Sequence, residues 1–191
     1  MKCKGTGFKI FRGIAALLAA AALVVGLVWA QKYFLRRAYP VVYTEFVEKY
    51  CLERQLDPYF VYAVIRTESD FRPQATSSVG ARGLCQLTEE TFEWVRGKLR
   101  ETDTKFEDMY DPETAVRYGT YLLSYLQQTL GSRENALCGY HAGVNRTRQW
   151  LSQEKYSANG QIIVEKIPYG DTRGYVKKVL KTYHIYKKLY Q

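Results

Sequence analysis

The sequence has no internal repeat and no low-complexity tract, and none of its four cysteines has metal-ligand spacing. It therefore predicts neither a metal centre nor a bound cofactor. It also has no clustered arginine and lysine stripe with interleaved aromatic residues, which argues against a nucleic-acid partner. The chain has 191 residues, of which 47% are hydrophobic and 25% charged. This length and composition are typical of one folded domain of ordinary size.

Charge is absent from residues 13–31, which are rich in alanine, leucine and valine. At about 1.5 Å per residue, this run is close to the roughly 30 Å of a bilayer core. The sequence thus predicts a transmembrane anchor at 13–31, with 1–12 as a short basic cytoplasmic segment and 32–40 as a linker. A cleaved signal peptide is the alternative, because Val28-x-Ala30 resembles a cleavage site. The length of the run favours the anchor.

The net charge of +9 includes four basic residues before the apolar run, and the rest of the chain has 24 basic against 19 acidic residues. That net of +5 would suit an anionic cell-wall polymer or a membrane surface, and a solvated surface explains it equally well. Cys3 precedes the apolar run, while Cys51, Cys85 and Cys138 follow it. An outward-facing domain would then hold an odd number of thiols, and the pattern leaves a disulfide open.

Residues 41–191 predict an all-α domain of about seven helices around a cleft. One helix begins at Asp57-Pro58, where aspartate serves as N-cap and proline takes the first position. Glu68 follows on the same face as the apolar residues Val61, Val64 and Ile65. Apolar surroundings disfavour a charged carboxylate, so the pKa of Glu68 should rise from about 4.3 towards about 6, as a general acid requires.

Other helix starts are predicted near Pro40, after the N-caps Thr88, Asp111 and Ser132, and at a final cap, Asp171. Residues 100–110 are predicted to form a surface loop. Residues 161–167 are predicted to form a small strand or an extended flap over the cleft.

No second carboxylate pairs with Glu68 in this pattern. Asp70 lies roughly 200° around the helix from Glu68, and Glu89 and Glu90 occupy a helix first turn, where the helix dipole accounts for them. Glycoside cleavage usually needs two carboxylates, although an N-acetyl group of the substrate can replace the nucleophile.

Three blocks resemble the lytic transglycosylases that have a goose-type lysozyme-like catalytic domain. The blocks are residues 68–91, which include GARGLCQL at 80–87, then GYHAG at 139–143 and EKIPYGDTRGYV at 165–176. Together they cover about residues 42–190. The family's corresponding sequences read Ala-Tyr-Asn-Ala-Gly and Glu-x-Ile-Pro-x-x-Glu-Thr-Arg-x-Tyr-Val.

The resemblance implies a lysozyme-like fold and a peptidoglycan substrate. It also implies that the single-pass anchor holds the catalytic domain outside the cytoplasm. It implies that Glu68 protonates the β-1,4 oxygen leaving N-acetylmuramic acid and then, as base, accepts the proton of that sugar's 6-hydroxyl. The product would be a 1,6-anhydromuramoyl end. A hydrolytic muramidase and a weakly catalytic glycan-binding scaffold of a wall-spanning machine remain the alternatives.

The resemblance also assigns substrate-binding positions. They are Ser77, Gln86, Tyr140, His141, Glu165 and Tyr175. The sequence departs from the family pattern at three points, because His141 stands where asparagine is usual, Cys85 where methionine is usual, and Thr88 where a cleft methionine is common. These departures affect the details of sugar binding and leave Glu68 unchanged.

Overall fold

A computed structural model describes residues 4–191 of the chain, with side chains from residue 11 onward. The chain divides into two compact units, Met1–Pro40 and Val41–Gln191. The first unit is helix α1, Lys4–Ala38, whose many alanines and leucines favour helix.

Within α1, the segment Phe11–Ala38 is long and apolar enough to cross a membrane, and it contains the predicted span 13–31. Large apolar side chains on it face outward, with Leu17 73% and Trp29 72% exposed. Such a surface is stable when lipid covers it. A signal sequence near the N-terminus meets the same criteria of length and composition.

The second unit contains seven α-helices, as the sequence predicts. They are α2 Thr44–Arg54, α3 Pro58–Ser69, α4 Glu89–Leu99, α5 Pro112–Leu130, α6 Arg133–Ala142, α7 Val144–Leu151 and α8 Gly170–Tyr190. Two short antiparallel strands, β1 Ser157–Ala158 and β2 Gln161–Ile162, lie between α7 and α8, with Ser157 opposite Ile162.

The predicted N-caps of α3, α5 and α6 are confirmed. The carboxylate of Asp57 accepts a hydrogen bond from the Tyr59 N–H at 2.9 Å. Asp111 caps α5 and Ser132 caps α6 in the same way. Because each cap satisfies amide groups left free at a helix start, residues close in sequence favour these boundaries.

Two predicted helix starts are wrong. Helix α2 begins at Thr44 rather than near Pro40, because Tyr43 takes a left-handed conformation, with φ of 58°, just before it. Helix α8 begins at Gly170, after Tyr169, so Asp171 lies in its first turn and is not its cap. A carboxylate there still interacts favourably with the helix dipole.

Two predicted irregular segments contain more structure than expected. The presumed loop at 100–110 includes a 3-10 helix, Phe106–Tyr110, whose Phe106 and Met109 side chains are buried. The segment 161–167 contains β2, as predicted, followed by a 3-10 helix, Val164–Lys166.

The core forms where α3 packs along α8 and where α5 packs against α2 and α6. Large side chains from these helices are fully buried, including Phe60, Tyr118 and Tyr186. The cysteines Cys51, Cys85 and Cys138 are buried and free, while Cys3 lies outside the described residues. The packing of α3 on α8 brings the end of α3 against the first half of α8.

Candidate active site

Glu68 lies in the last turn of α3 and is partly buried. Burial raises the pKa of its carboxyl group to about 7, while interactions with the Tyr175 hydroxyl and with Lys178 act in the opposite direction. A carboxyl group with this pKa is protonated in about half of the molecules at neutral pH. It can therefore donate a proton and later accept one.

Four groups lie around Glu68 and interact with it: Tyr175 and Lys178 from α8, Tyr140 from α6, and Cys85 from the loop between α3 and α4. Within residues 4–191, no carboxylate is among the groups that influence its pKa. Asp70 is exposed and forms an ion pair with Arg66 at 3.1 Å. Glu68 therefore stands as a single acid in this cluster.

Tyr175 is buried, and its hydroxyl interacts with the Glu68 carboxyl group. Among the described residues, the Tyr175 hydroxyl is buried and completes no hydrogen bond. Rings from α6 flank the Tyr175 ring. The Tyr140 ring is nearly parallel to it at 6.5 Å, and the His141 ring lies 4.6 Å away.

The rings of α6 are fixed in turn. Tyr140 donates its hydroxyl hydrogen to the carbonyl oxygen of Cys85 at 2.5 Å, and burial raises the pKa of Tyr140. The Nδ1 atom of His141 lies 3.1 Å from the Thr172 hydroxyl. Burial lowers the pKa of His141 and Asp171 opposes that change, so the imidazole is mostly neutral at pH 7.

Ser77 and Gln86 hold the loop that carries Cys85. The Ser77 hydroxyl accepts a hydrogen bond from the Ala81 N–H at 3.0 Å. The Gln86 side-chain amide donates to the carbonyl oxygens of Ala75 and Gly83, each at 3.0 Å. Both predicted residues thus have structural partners next to the cluster.

The same loop makes two close approaches that only glycine allows. A Cβ atom on Gly83 would lie 1.8 Å from the Met109 carbonyl oxygen, and Gly83 has φ of +74°. A Cβ atom on Gly119 of α5 would lie 2.3 Å from the sulfur of Cys85. These contacts press the loop against α5 and the 3-10 helix at Phe106–Tyr110.

Glu165 is placed differently from the other predicted residues. It is exposed on the 3-10 helix Val164–Lys166 and forms an ion pair with Lys177. The structure therefore brings together Glu68, Tyr140, His141 and Tyr175, while the Glu165 carboxylate is paired with Lys177 of α8.

A cavity of about 560 Å³ lies beside this cluster. Tyr140 and His141 line it, whereas Glu68 is not among its lining residues. Its other walls include Trp94, Tyr125 and Arg148, from α4, α5 and α7. Sequence reasoning missed these three; the one local signal was the position of Trp94 off the face of α4 that buries Phe92 and Val95.

Known proteins resemble this chain both in sequence and in structure. The family model described as "Transglycosylase SLT domain" matches residues 45–163. The soluble lytic murein transglycosylase of Escherichia coli K12 is 31% identical over 172 residues, which cover 85% of this chain and 25% of that protein. The membrane-bound lytic murein transglycosylase C of Yersinia enterocolitica is 29% identical over 165 residues, covering 74% and 44%.

Solved structures of lytic transglycosylases superpose on the fold of this chain. The 70 kDa soluble lytic transglycosylase of Escherichia coli superposes with a TM-score of 0.75 at 30% identity, covering 90% of this chain and 28% of that one. The lytic transglycosylase Slt of Pseudomonas aeruginosa, solved as an inactive mutant in which glutamine replaces a glutamate, gives 0.73 at 29%, covering 81% and 25%. The predicted lysozyme-like, all-α fold is therefore confirmed.

The chain spans about a quarter of the length of the soluble relatives. The family model nevertheless covers more than half of this chain, including Glu68 and the loop that follows it. On that match, the chain belongs to the transglycosylase SLT domain family.

Proposed function

We propose that this protein is a peptidoglycan lytic transglycosylase that cleaves the β-1,4 bond between N-acetylmuramic acid and N-acetylglucosamine. The observation that carries the proposal is a single, partly buried carboxyl group, Glu68, at the end of α3 beside the Tyr175 hydroxyl. Burial there raises its pKa to about 7. The family supports it, since the relatives are named lytic murein transglycosylases. The adjoining cavity, lined by Trp94 and Tyr125, has the aromatic walls that suit sugar rings.

In the proposed reaction, Glu68 first donates its proton to the glycosidic oxygen as the bond from that oxygen to C1 of muramic acid breaks. The resulting carboxylate then accepts the proton of the 6-hydroxyl group of the same sugar, while the oxygen of that hydroxyl group bonds to C1. Glu68 returns to its protonated form, and no water is consumed. One carboxyl group whose pKa lies near the working pH can perform both steps.

The products test this proposal against a hydrolytic muramidase. Hydrolysis would need a second carboxylate, either to activate water or to act as nucleophile. The tethered 6-hydroxyl instead has a large effective concentration. We expect mass analysis of muropeptides released from purified peptidoglycan to show mostly 1,6-anhydromuramoyl ends. Products that are mostly reducing would establish a muramidase, and no release at all would favour a scaffold.

A second test concerns Tyr175, whose hydroxyl lowers the pKa of Glu68. Because Glu68 must start protonated, kcat/KM should fall as the pH rises through about 7. In Tyr175→Phe the pKa of Glu68 rises further, so this fall should move to higher pH, and kcat should fall roughly 10-fold because the carboxylate formed during the reaction loses the nearby hydroxyl that favours its charged form. The pH dependence of muropeptide release measures both effects.

Tyr62→Phe is the matched control for that test. The Tyr62 hydroxyl is also buried without a hydrogen-bond partner among the described residues, and it belongs to the same helix, α3, as Glu68. Glu68 is not among the groups that influence its pKa. The control should keep the wild-type pH profile, and an equal displacement in both variants would show that Tyr175 acts only through packing.

We also propose that α1 anchors the protein in the membrane, with residues 41–191 outside the cytoplasm, as expected for an enzyme that reaches peptidoglycan. The apolar segment Phe11–Ala38 and the membrane-bound relative support anchoring. The protein should then remain with membranes at high salt and keep its N-terminal residues. Recovery of a soluble species beginning at Gln31 would show that the segment is a signal peptide.

A further inference from the structure

Tyr175 reaches the acid without a hydrogen bond that would hold it there. Its hydroxyl interacts with the Glu68 carboxyl group and lowers the pKa of that group. Among the described residues, the same hydroxyl completes no hydrogen bond. The position of the hydroxyl therefore depends on the side chains that pack against the Tyr175 ring.

Two rings from α6 supply that packing, and they are held in different ways. The centre of the His141 ring lies 4.6 Å from that of the Tyr175 ring, whereas the Tyr140 ring is 6.5 Å away. The Tyr140 hydroxyl donates to the carbonyl oxygen of Cys85, so the loop before α4 holds this ring. The Nδ1 atom of His141 instead lies 3.1 Å from the hydroxyl oxygen of Thr172, on α8.

Thr172 and Tyr175 are one turn apart on α8, and both are buried. Side chains three positions apart lie on the same side of a helix. His141 thus spans one turn of α8, with a ring nitrogen at Thr172 and the ring itself against Tyr175. Because His141 is otherwise exposed, these two contacts are the ones that orient its ring.

We propose that His141 is a positioning residue: Thr172 fixes its ring, and the ring keeps the Tyr175 hydroxyl directed at Glu68. His141 then acts on the acid through Tyr175 and not by touching the sugar. The consequence for catalysis rests on the proposed function, whereas the effect on the acid does not. Asparagine, the usual residue of the family at this position, has no ring to place against Tyr175.

The charged and titratable groups nearby determine where this effect can be measured. Those that interact with Glu68 are Tyr175 and Lys178 from α8, Tyr140 from α6, and Cys85 from the loop. Burial lowers the pKa of His141 from its ordinary value of 6.5, and the carboxylate of Asp171 opposes that change. Above pH 6.5 His141 is therefore mostly neutral, so a change in the titration of Glu68 there is not caused by charging of the imidazole.

The experiment measures the pKa of Glu68 by NMR titration of isotope-labelled glutamate carboxyl carbons, in the full-length protein in detergent micelles. Glu68→Gln identifies the signal. Tyr175→Phe should raise this pKa, because the carboxylate loses the hydroxyl that favours its charged form. His141→Ala should raise it by a similar amount, and Thr172→Val, which keeps the shape of the side chain but removes its hydroxyl, by less. The double variant His141→Ala/Tyr175→Phe should show no rise beyond that of Tyr175→Phe, since both changes act through one hydroxyl.

Muropeptide release measures the consequence for the reaction. His141→Ala should lower kcat roughly 3- to 10-fold, as expected for the loss of one interaction of hydrogen-bond strength, and should leave KM unchanged. His184→Ala is the matched control, because it removes the other histidine of the chain, which is exposed on α8 and lies beside Tyr183. This control should keep the wild-type kcat and the wild-type pKa of Glu68.

Two results of the titration would overturn the proposal: an unchanged pKa of Glu68 in His141→Ala, or a rise that adds in full to that of Tyr175→Phe. A higher KM together with an unchanged pKa would assign His141 to the sugar and overturn it as well. The titration does not depend on turnover. If the wild type releases no muropeptides, the proposed function fails, and the pKa of Glu68 in the variants still decides whether His141 positions Tyr175.

Discussion

Replacing Glu68 with glutamine is expected to reduce the release of muropeptides by at least 10²- to 10⁴-fold, because the amide keeps the size of the side chain but cannot donate a proton. Turbidity loss of purified cell walls and mass analysis of the products measure this effect. Asp70→Asn is the control, since this nearby acid is exposed and paired with Arg66. Near wild-type turnover by Glu68→Gln would exclude Glu68 as the acid.

The same substitution should not weaken the fold. The folded-state pKa of Glu68, about 7, lies above the unfolded value near 4.5, so the native protein loses stability as the pH rises between these values. Glutamine is not subject to that loss. Above pH 7 the melting temperature of Glu68→Gln should therefore equal or exceed that of the wild type, and the difference should shrink below pH 4.5. This separates lost chemistry from lost structure.

Of the glycine substitutions considered, Gly83→Ala is expected to destabilise the fold most, lowering the free energy of unfolding by about 4 kcal/mol or more. The new Cβ atom would lie 1.8 Å from the Met109 carbonyl oxygen, and the φ of +74° is strained for alanine. The obstructing atom is backbone, so no side-chain movement relieves the clash. Urea unfolding of the full-length protein measures the change.

Two other glycines separate the causes of that effect. Gly80 has φ of +79° but open space around it, so Gly80→Ala should cost only the strain, about 1 kcal/mol. Gly97 lies within α4 in open space without a positive φ, and Gly97→Ala should stabilise by about 0.5–1 kcal/mol. If Gly83→Ala proves no worse than Gly80→Ala, the contact with Met109 does not limit the loop.

Features set by neighbouring residues were predictable from the sequence. Asp57 and Pro58 determine the start of α3 through a cap and a fixed φ, and both act within one turn. The raised pKa of Glu68 followed from its helix face. The short helix at Phe106–Tyr110 was not predictable, because distant groups stabilise it: the Phe92 ring at 5.5 Å and the Arg82 guanidinium at 4.2 Å from the Phe106 ring.

The cavity beside the acid was missed for the same reason. Trp94, Tyr125 and Arg148 come from three helices, and only the packing of those helices makes their side chains converge. The residue pattern of a single helix does not predict which side chains of different helices come together. The family resemblance assigned Tyr140 and Tyr175 to the site, and both lie in the cluster around Glu68. Its assignment of Glu165 to substrate binding stays a prediction, since the structure shows only that this carboxylate is paired with Lys177.

The contact between Cys85 and Gly119 links two positions that lie far apart in the sequence. The backbone carbonyl oxygen of Cys85 accepts a hydrogen bond from the Tyr140 hydroxyl. The Cys85 side chain packs against Gly119, where there is no room for a Cβ atom. The two residues thus share one fixed volume. A larger residue at either position would press on the loop whose carbonyl orients Tyr140, so mutations at the two sites should be strongly non-additive, and a larger residue at one should be tolerated better when the other becomes smaller.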